Sequence, residues 1–304
     1  MLSPETSTPQ TTIAIVGAGR LGTALAEGLR GAGHAVLGPL PRDYDRSRAA
    51  QAGTVLLCVP DREIPAAAAY LADGLTEGER CPLVGHCSGA CTLDVLEPIP
   101  RAARFSLHPL MTFAGGRAGA GAGATGSDKR GSDGHTAGSD GHTAGSGTHH
   151  AGGDGNTPSL HGATAAIAGG GARALSAAGR LARELRLTPV ELDEADRAAY
   201  HAAASMASNF LITLELAAER LAASAGLPRE ALVPLVRQSV ENWAHGGAAA
   251  LTGPIARGDT ETVRRQRAAV AQRAPELLGL FDALANSTQE LAQQPAPAGM
   301  RVAA

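Results

Sequence analysis

TIAIVGAGRLG, residues 12–22, is the stretch from which the rest of the chain is read. Ile13 to Val16 form a short apolar run that ends at Gly17. Gly17-Ala18-Gly19-Arg20-Leu21-Gly22 then has the spacing G-x-G-x-x-G, and Leu21, Leu25 and Leu29 recur at helical spacing until Gly31-Ala32-Gly33 stops them. A strand, a glycine turn and an amphipathic helix follow one another. In that context each glycine has its own use. Gly17 allows a tight turn, Gly19 lets the backbone approach a phosphate, and Gly22 lets helix and strand pack closely. The helix start offers unpaired N–H groups and a favourable dipole to an anion. The pattern predicts a dinucleotide site at Gly17, Ala18, Gly19, Arg20, Leu21 and Gly22, with a ligand-free glycine turn as the alternative.

Working outward, His34–Leu40 and the run TVLLCV at Thr54–Val59 are read as the next strands, the latter buried on both faces. Ile64–Leu75 is Ala-rich and helical, Pro82–Gly85 and Arg104–Leu107 are short strands, and Ala163–Ala168 and Ala172–Arg186 give one more strand and helix. This alternation predicts an α/β fold, a Rossmann-type doubly wound parallel sheet. From Glu191 the pattern is helical almost throughout: Asp193–Ala225, Arg229–His245 interrupted by Pro234, and two helices within Asp259–Leu291. The expected layout is a disordered leader at 1–11 and a dinucleotide-binding domain at 12–113 and 160–190. An insertion follows at 114–159, then an all-helical substrate and dimerisation domain at 191–292 and a flexible tail at 293–304. The insertion repeats GSDGHTA at 131–137 and 138–144 and is too poor in apolar side chains to offset ordering entropy. Its histidines, His135, His142, His149 and His150, are read as linker residues, not as a metal site.

NAD sites usually carry an acidic residue at the end of the second strand, about 20 residues past the motif, to hold the ribose 2′-hydroxyl. Here that region reads Leu37-Gly38-Pro39-Leu40-Pro41-Arg42, with no carboxylate before Asp43. Arg42 can pair with a 2′-phosphate instead, which favours NADP over NAD. Val59-Pro60-Asp61 closes the buried strand at the sheet edge where cofactors lie; Asp61 either lines that site or caps the next helix.

With a formal charge of −3, the chain has no basic excess for nucleic acid, and no run of 18 uncharged apolar residues for a membrane span. The four cysteines, Cys58, Cys81, Cys87 and Cys91, form no Cys-x-x-Cys pair and are read as reduced thiols of a cytoplasmic protein. The single lysine, Lys129, falls in the insertion, which disfavours lysine catalysis in a folded domain.

GAGRLGTAL, LLCVPDREI, HCSGA, SLHPLMTF, YHAAASMASNF and ALTGPIARGD occur in that order. Together they resemble the Rossmann-like proteins with a C-terminal domain of unknown function 2520. That family is similar in architecture to pyrroline-carboxylate reductase, ketopantoate reductase, prephenate dehydrogenase and other proteins with a 6-phosphogluconate dehydrogenase-like C-terminal domain. The resemblance implies a Rossmann domain followed by a helical one, with substrate between them. The interval from Arg42 to Thr54 is short for the family, so its third strand and helix look trimmed. Several relatives of this architecture use a lysine on the first long helix of the second domain. The matching region here, Tyr200 to Asn209, has none, but His201, Ser205 and Asn209 fall at i, i+4 and i+8 on one helical face. They line either the substrate site or a solvated stripe. His108, in Ser106-Leu107-His108-Pro109, resembles the His-Pro segment of prephenate dehydrogenases. It is the favoured proton donor, with Ser88 in support and His86 as alternative. Thr252 and Arg257 are candidate substrate contacts, Arg257 for a carboxylate, while Asp259 is expected to cap a helix.

These residues imply an NADP-dependent oxidoreductase moving hydride between NADPH and a small carbonyl or imine, possibly a keto acid. The alternatives are a non-catalytic NADP-binding sensor and a prephenate-like NAD-dependent dehydrogenase. Small-molecule substrate and a homodimer are the expected partners.

Overall fold

The computed structural model describes residues 12–75, 82–113 and 160–294. The leader at 1–11, the insertion at 114–159 with Lys129 and its histidines, Cys81 and the tail from 295 lie outside the described residues. No described helix is long and apolar enough to cross a membrane.

The chain divides into two compact units, one ending at Ala202 and one starting at Ala203. In the first, β1 (Ile13–Val16), α1 (Arg20–Gly31), β2 (Val36–Leu40), α2 (Arg46–Ala50), β3 (Thr54–Leu57) and α3 (Ile64–Ala72) are followed by β4 (Leu83–His86), β5 (Ala103–Pro109), β6 (Thr164–Gly169), α4 (Ala172–Glu184) and β7 (Thr188–Glu191). They build one seven-stranded sheet in the order β2-β1-β3-β4-β5-β6-β7. All neighbours run parallel except β5 and β6, where His108 pairs with Ala166. The Rossmann-type α/β fold is therefore present.

Strand alternation distributes the core. Ile13, Ile15 and Leu56 point to the face covered by α1 and α4, through Leu25, Leu29, Ala174, Ala178 and Leu181. Ala14, Val16, Val55 and Leu57 point to the other face, where Ala49 and Ala50 of α2 and Ile64, Ala68 and Leu71 of α3 cover them. α4 buries Ala174, Ala177, Ala178, Leu181 and Ala182, the i, i+3, i+4, i+7, i+8 stripe of an amphipathic helix. Each fully buried Leu or Ile contributes about 1.5–3 kcal/mol through the water it sheds, and the aromatic-poor core is assembled from many such small terms.

Two elements differ from the sequence expectation. β7 was not expected: TPVE is short, mostly exposed and contains Pro189. It forms because it is an edge strand, where a residue without an N–H is tolerated. The strand after Arg42 is present as β3; what is trimmed is the helix before it, the five-residue α2, which Asp45 caps by accepting from Ser47 N at 3.0 Å.

The units divide inside α5 (Arg197–Ser205), not at residue 190. The physical reason is Arg197, whose buried side chain ties the start of that helix to the sheet. Beyond a π-helical turn at Met206–Phe210 come α6 (Leu211–Ser224), α7 (Arg229–Gly246), α8 (Thr260–Arg273) and α9 (Leu278–Gln293). α7 runs on through Pro234, which removes one helical hydrogen bond without ending the helix. Asp259 caps α8 by accepting from Thr262 N at 3.0 Å.

Candidate functional site

The glycine turn lies at the carboxyl edge of the sheet. Gly17 has φ of +112°, and a Cβ there would lie 2.3 Å from the Cys58 carbonyl oxygen. A Cβ on Gly22 would lie 2.0 Å from the Gly17 carbonyl oxygen. Both positions therefore admit glycine alone. Gly19 is different: a Cβ there would meet nothing within 4 Å. It is the N-cap of α1, and no side chain caps it. An open cradle at an uncapped helix start is what a pyrophosphate needs, so the residues fit a dinucleotide.

Val59 and Pro60 continue from the end of β3. Asp61 does not cap the helix that follows. Pro60 holds the cap position of a 3-10 turn at Asp61–Glu63, with no side-chain cap bond. The negative charge of Asp61 favours the charged forms of His86 and His108, against the stronger effect of burial. Arg42 lies past β2, where its guanidinium donates to Glu63 Oε1 at 2.6 Å. Glu63 is thus a carboxylate at the end of β2 that reading along the second strand misses, because it arrives from the loop after β3.

The second cluster gathers on the same edge, at β4 and β5. β4 ends at His86 and β5 carries Ser106 opposite it, with His108 two residues on. The His108 ring lies against Gly89, where a Cβ would come within 2.8 Å of it. Its Nδ1 is 2.6 Å from the Tyr200 hydroxyl, and the two rings meet edge to face. His201 stands 6.5 Å away, centroid to centroid. Burial first, then the neighbouring His201, push the His108 pKa down to about 4. Burial, then the Arg197 charge, do the same for His86, also to about 4. His86 Nδ1 accepts the Ser88 N–H at 3.2 Å, while its Nε2 is buried without a hydrogen-bond partner. Burial raises the Tyr200 hydroxyl above its ordinary value.

Ser88 is not the residue that orients His108. Its Oγ accepts from Ala90 N at 3.1 Å and Cys91 N at 3.0 Å, closing the turn after β4 on itself. Such a serine serves its own backbone, and Tyr200 is the side chain that hydrogen-bonds His108. Arg197, 2% exposed, was also missed. It donates to Ser106 Oγ at 2.7 Å and Glu194 Oε1 at 2.6 Å, and Glu194 Oε2 accepts from Leu93 N at 2.7 Å. Cys58 and Cys87 sit 3.6 Å apart as free thiols. The hydrogen bond to Cys87 and burial raise Cys58 well above the ordinary thiol range, which suits packing and not nucleophilic attack.

Ser205 and Asn209 belong to the second unit. The π-helical turn at Met206–Phe210 widens the helix between them, so i, i+4 spacing no longer aligns the two. Thr252 and Arg257 lie in the turn before α8, held by Gly253 at φ +98° and by Arg257 N donating to Gly253 O at 3.3 Å. Among the described residues, no group of three His, Cys, Asp or Glu is placed to hold a metal ion.

Residues 163–288, from β6 through most of α9, match the family described as domain of unknown function, DUF2520. No curated protein matches the chain's sequence. Solved structures resemble it across both units. A candidate NADP oxidoreductase of Bacteroides fragilis is 18% identical with a TM-score of 0.65, over 92% of this chain and 98% of that one. A protein of Thermotoga maritima is 20% identical with a TM-score of 0.61, over 92% and 98%. Pyrroline carboxylate reductase of Plasmodium falciparum, with NADP bound, is 12% identical with a TM-score of 0.53, over 94% and 100%. At these identities the likeness establishes the fold alone.

Proposed function

We propose that this chain is a nicotinamide-dinucleotide-dependent oxidoreductase acting on a small carbonyl or imine, possibly a keto acid, with NADPH as the preferred cofactor. The observation that carries the reading is the pair of sites on one sheet edge: an open glycine cradle, and a His108 ring held by Tyr200. Gly17, Gly19 and Gly22 with the start of α1 hold the pyrophosphate, and Arg42 meets the 2′-phosphate. The bound cofactor supplies the hydride.

His108 is neutral at physiological pH because its pKa lies near 4. In this reading the Tyr200 hydroxyl, 2.6 Å from Nδ1, donates to it, which puts the imidazole proton on Nε2 for the substrate oxygen. A neutral imidazole can polarise a carbonyl without first having to lose a charge. As negative charge develops on that oxygen, the Nε2 proton moves to it. The Tyr200 proton moves to Nδ1, and solvent reprotonates the tyrosine, so the net proton comes from water. His201, Ser205 and Asn209 are proposed substrate-side residues, with Thr252 and Arg257 for a carboxylate. The exposed apolar side chains of the second unit, Met206, Phe210, Ile212, Leu235 and Trp243, support pairing with a second copy of the chain. A cytoplasmic setting completes the proposal.

The test is NADPH oxidation followed spectroscopically against a panel of keto acids, aldehydes and cyclic imines. The proposal expects turnover with at least one class and a loss of about 100-fold or more in His108→Ala. Binding of NADPH with no turnover across the panel would favour the sensor reading instead. Light scattering tests the dimer, with a monomer mass as the contrary result.

A further inference from the structure

Arg42 and Glu63 come from the loops that follow β2 and β3, the two strands that flank β1 in the sheet. Their side chains meet at 2.6 Å, so the pair bridges the stretch of edge where β1 delivers the glycine turn. Arg42 is 79% exposed and Glu63 26%, so the guanidinium stands in water with a carboxylate already on it. Arg46, the next cation along, is committed elsewhere. It pairs with Asp73 at 3.0 Å and lies 5.0 Å over the Tyr70 ring. Arg42 is therefore an open cation at the end of β2, and it carries its own counter-ion.

We infer that Glu63 sets the cofactor selectivity of this chain: its carboxylate competes with a 2′-phosphate for Arg42 and accepts a hydrogen bond from an unphosphorylated 2′-hydroxyl. The inference rests on the dinucleotide reading above. A phosphate dianion arriving at Arg42 meets a negative neighbour and must share or displace it. An exposed pair of this kind opens readily, so NADPH still binds. A ribose with a free 2′-hydroxyl meets the opposite situation, because a carboxylate is a strong acceptor for that donor. Glu63 thus narrows the preference for NADPH that Arg42 alone would give.

The experiment is a fluorescence titration of the full chain with NADPH and with NADH, repeated for Glu63→Gln and Arg42→Ala, each checked by thermal melting. Glu63→Gln removes one screened unit charge beside the phosphate. It is expected to tighten NADPH by about 5–10-fold and to weaken NADH by about 2–3-fold. Arg42→Ala is expected to weaken NADPH and leave NADH nearly unchanged. A ratio of the two dissociation constants that stays the same in Glu63→Gln, or moves toward NADH, overturns the assignment. If the unaltered chain binds neither dinucleotide, the underlying cofactor reading fails, and that outcome is distinct from binding with an unmoved ratio.

Discussion

The glycine cradle and the histidine cluster occupy the same sheet edge but are made in different ways. The cradle is backbone from a single stretch, Gly17 to Gly22, and its shape is set by what cannot fit: a Cβ at 2.3 Å or 2.0 Å from a carbonyl oxygen. The cluster is side chains from three separate segments, around His86, His108 and Arg197. A site made by exclusion within one turn should be sensitive to added atoms. A site made by convergence should be sensitive to lost partners.

The largest effect is expected at the cradle. Gly22→Ala puts a methyl carbon into a backbone oxygen, which cannot move aside as a side chain can. The cost is expected to be about 3 kcal/mol or more, read as a lower urea midpoint, together with loss of dinucleotide binding. An unchanged midpoint would mean the turn is not tightly packed. At the cluster, Arg197→Ala leaves Glu194 and Ser106 without their buried partner. A loss of about 2–3 kcal/mol is expected by the same measurement, because Glu194 is partly exposed and its charge partly screened. A loss well below 1 kcal/mol would show that Arg197 does not pin α5 to the sheet.

The difference in construction also governs what could be read from sequence. The cradle was legible because all its requirements fall within six consecutive residues after a strand, Gly17 to Gly22. The core strands were legible for a similar reason: after Thr54 the run Val55-Leu56-Leu57 is apolar, and β3 is buried throughout. His108 could be singled out from its local segment, but its partner could not. Tyr200 is 92 residues away, and no spacing rule links them. Ser88 and His108 lie near the ends of neighbouring strands, yet a serine two residues past a strand end closes its own turn. Glu63 is not legible along β2, because this carboxylate comes from the turn that follows β3, on the other side of β1. The shift in helical phase beyond Ser205 depends on a π-helical turn that the spacing of polar residues does not announce.

The next effect is on pH. His86 and His108 have folded-state pKa values near 4, below the ordinary 6.5, so the unfolded chain binds more protons between those values. The stability these groups contribute is present above pH 6.5 and is lost as pH falls toward 4, by up to about 3 kcal/mol for each. Urea unfolding at pH 7, 5.5 and 4 measures it, and His108→Gln should flatten part of the slope. Equal midpoints at the three values would mean that neither histidine is buried neutral. The smallest change is Tyr200→Phe, which keeps the ring and removes the hydroxyl. It should leave the melting temperature almost unchanged and lower turnover by about 10–100-fold. Turnover equal to that of the unaltered chain would remove Tyr200 from the proton path.

The most direct test of the central claim uses Gly19, the cradle position where a Cβ has open space. Gly19→Ala adds a methyl group that touches nothing in the protein but intrudes where a pyrophosphate would lie. Titration of both forms with NADPH should give saturable binding to the unaltered chain and affinity at least about 10-fold weaker in the variant, with identical melting curves. Equal affinity in the two forms, or no binding by either, would contradict the assignment of this edge as a dinucleotide site.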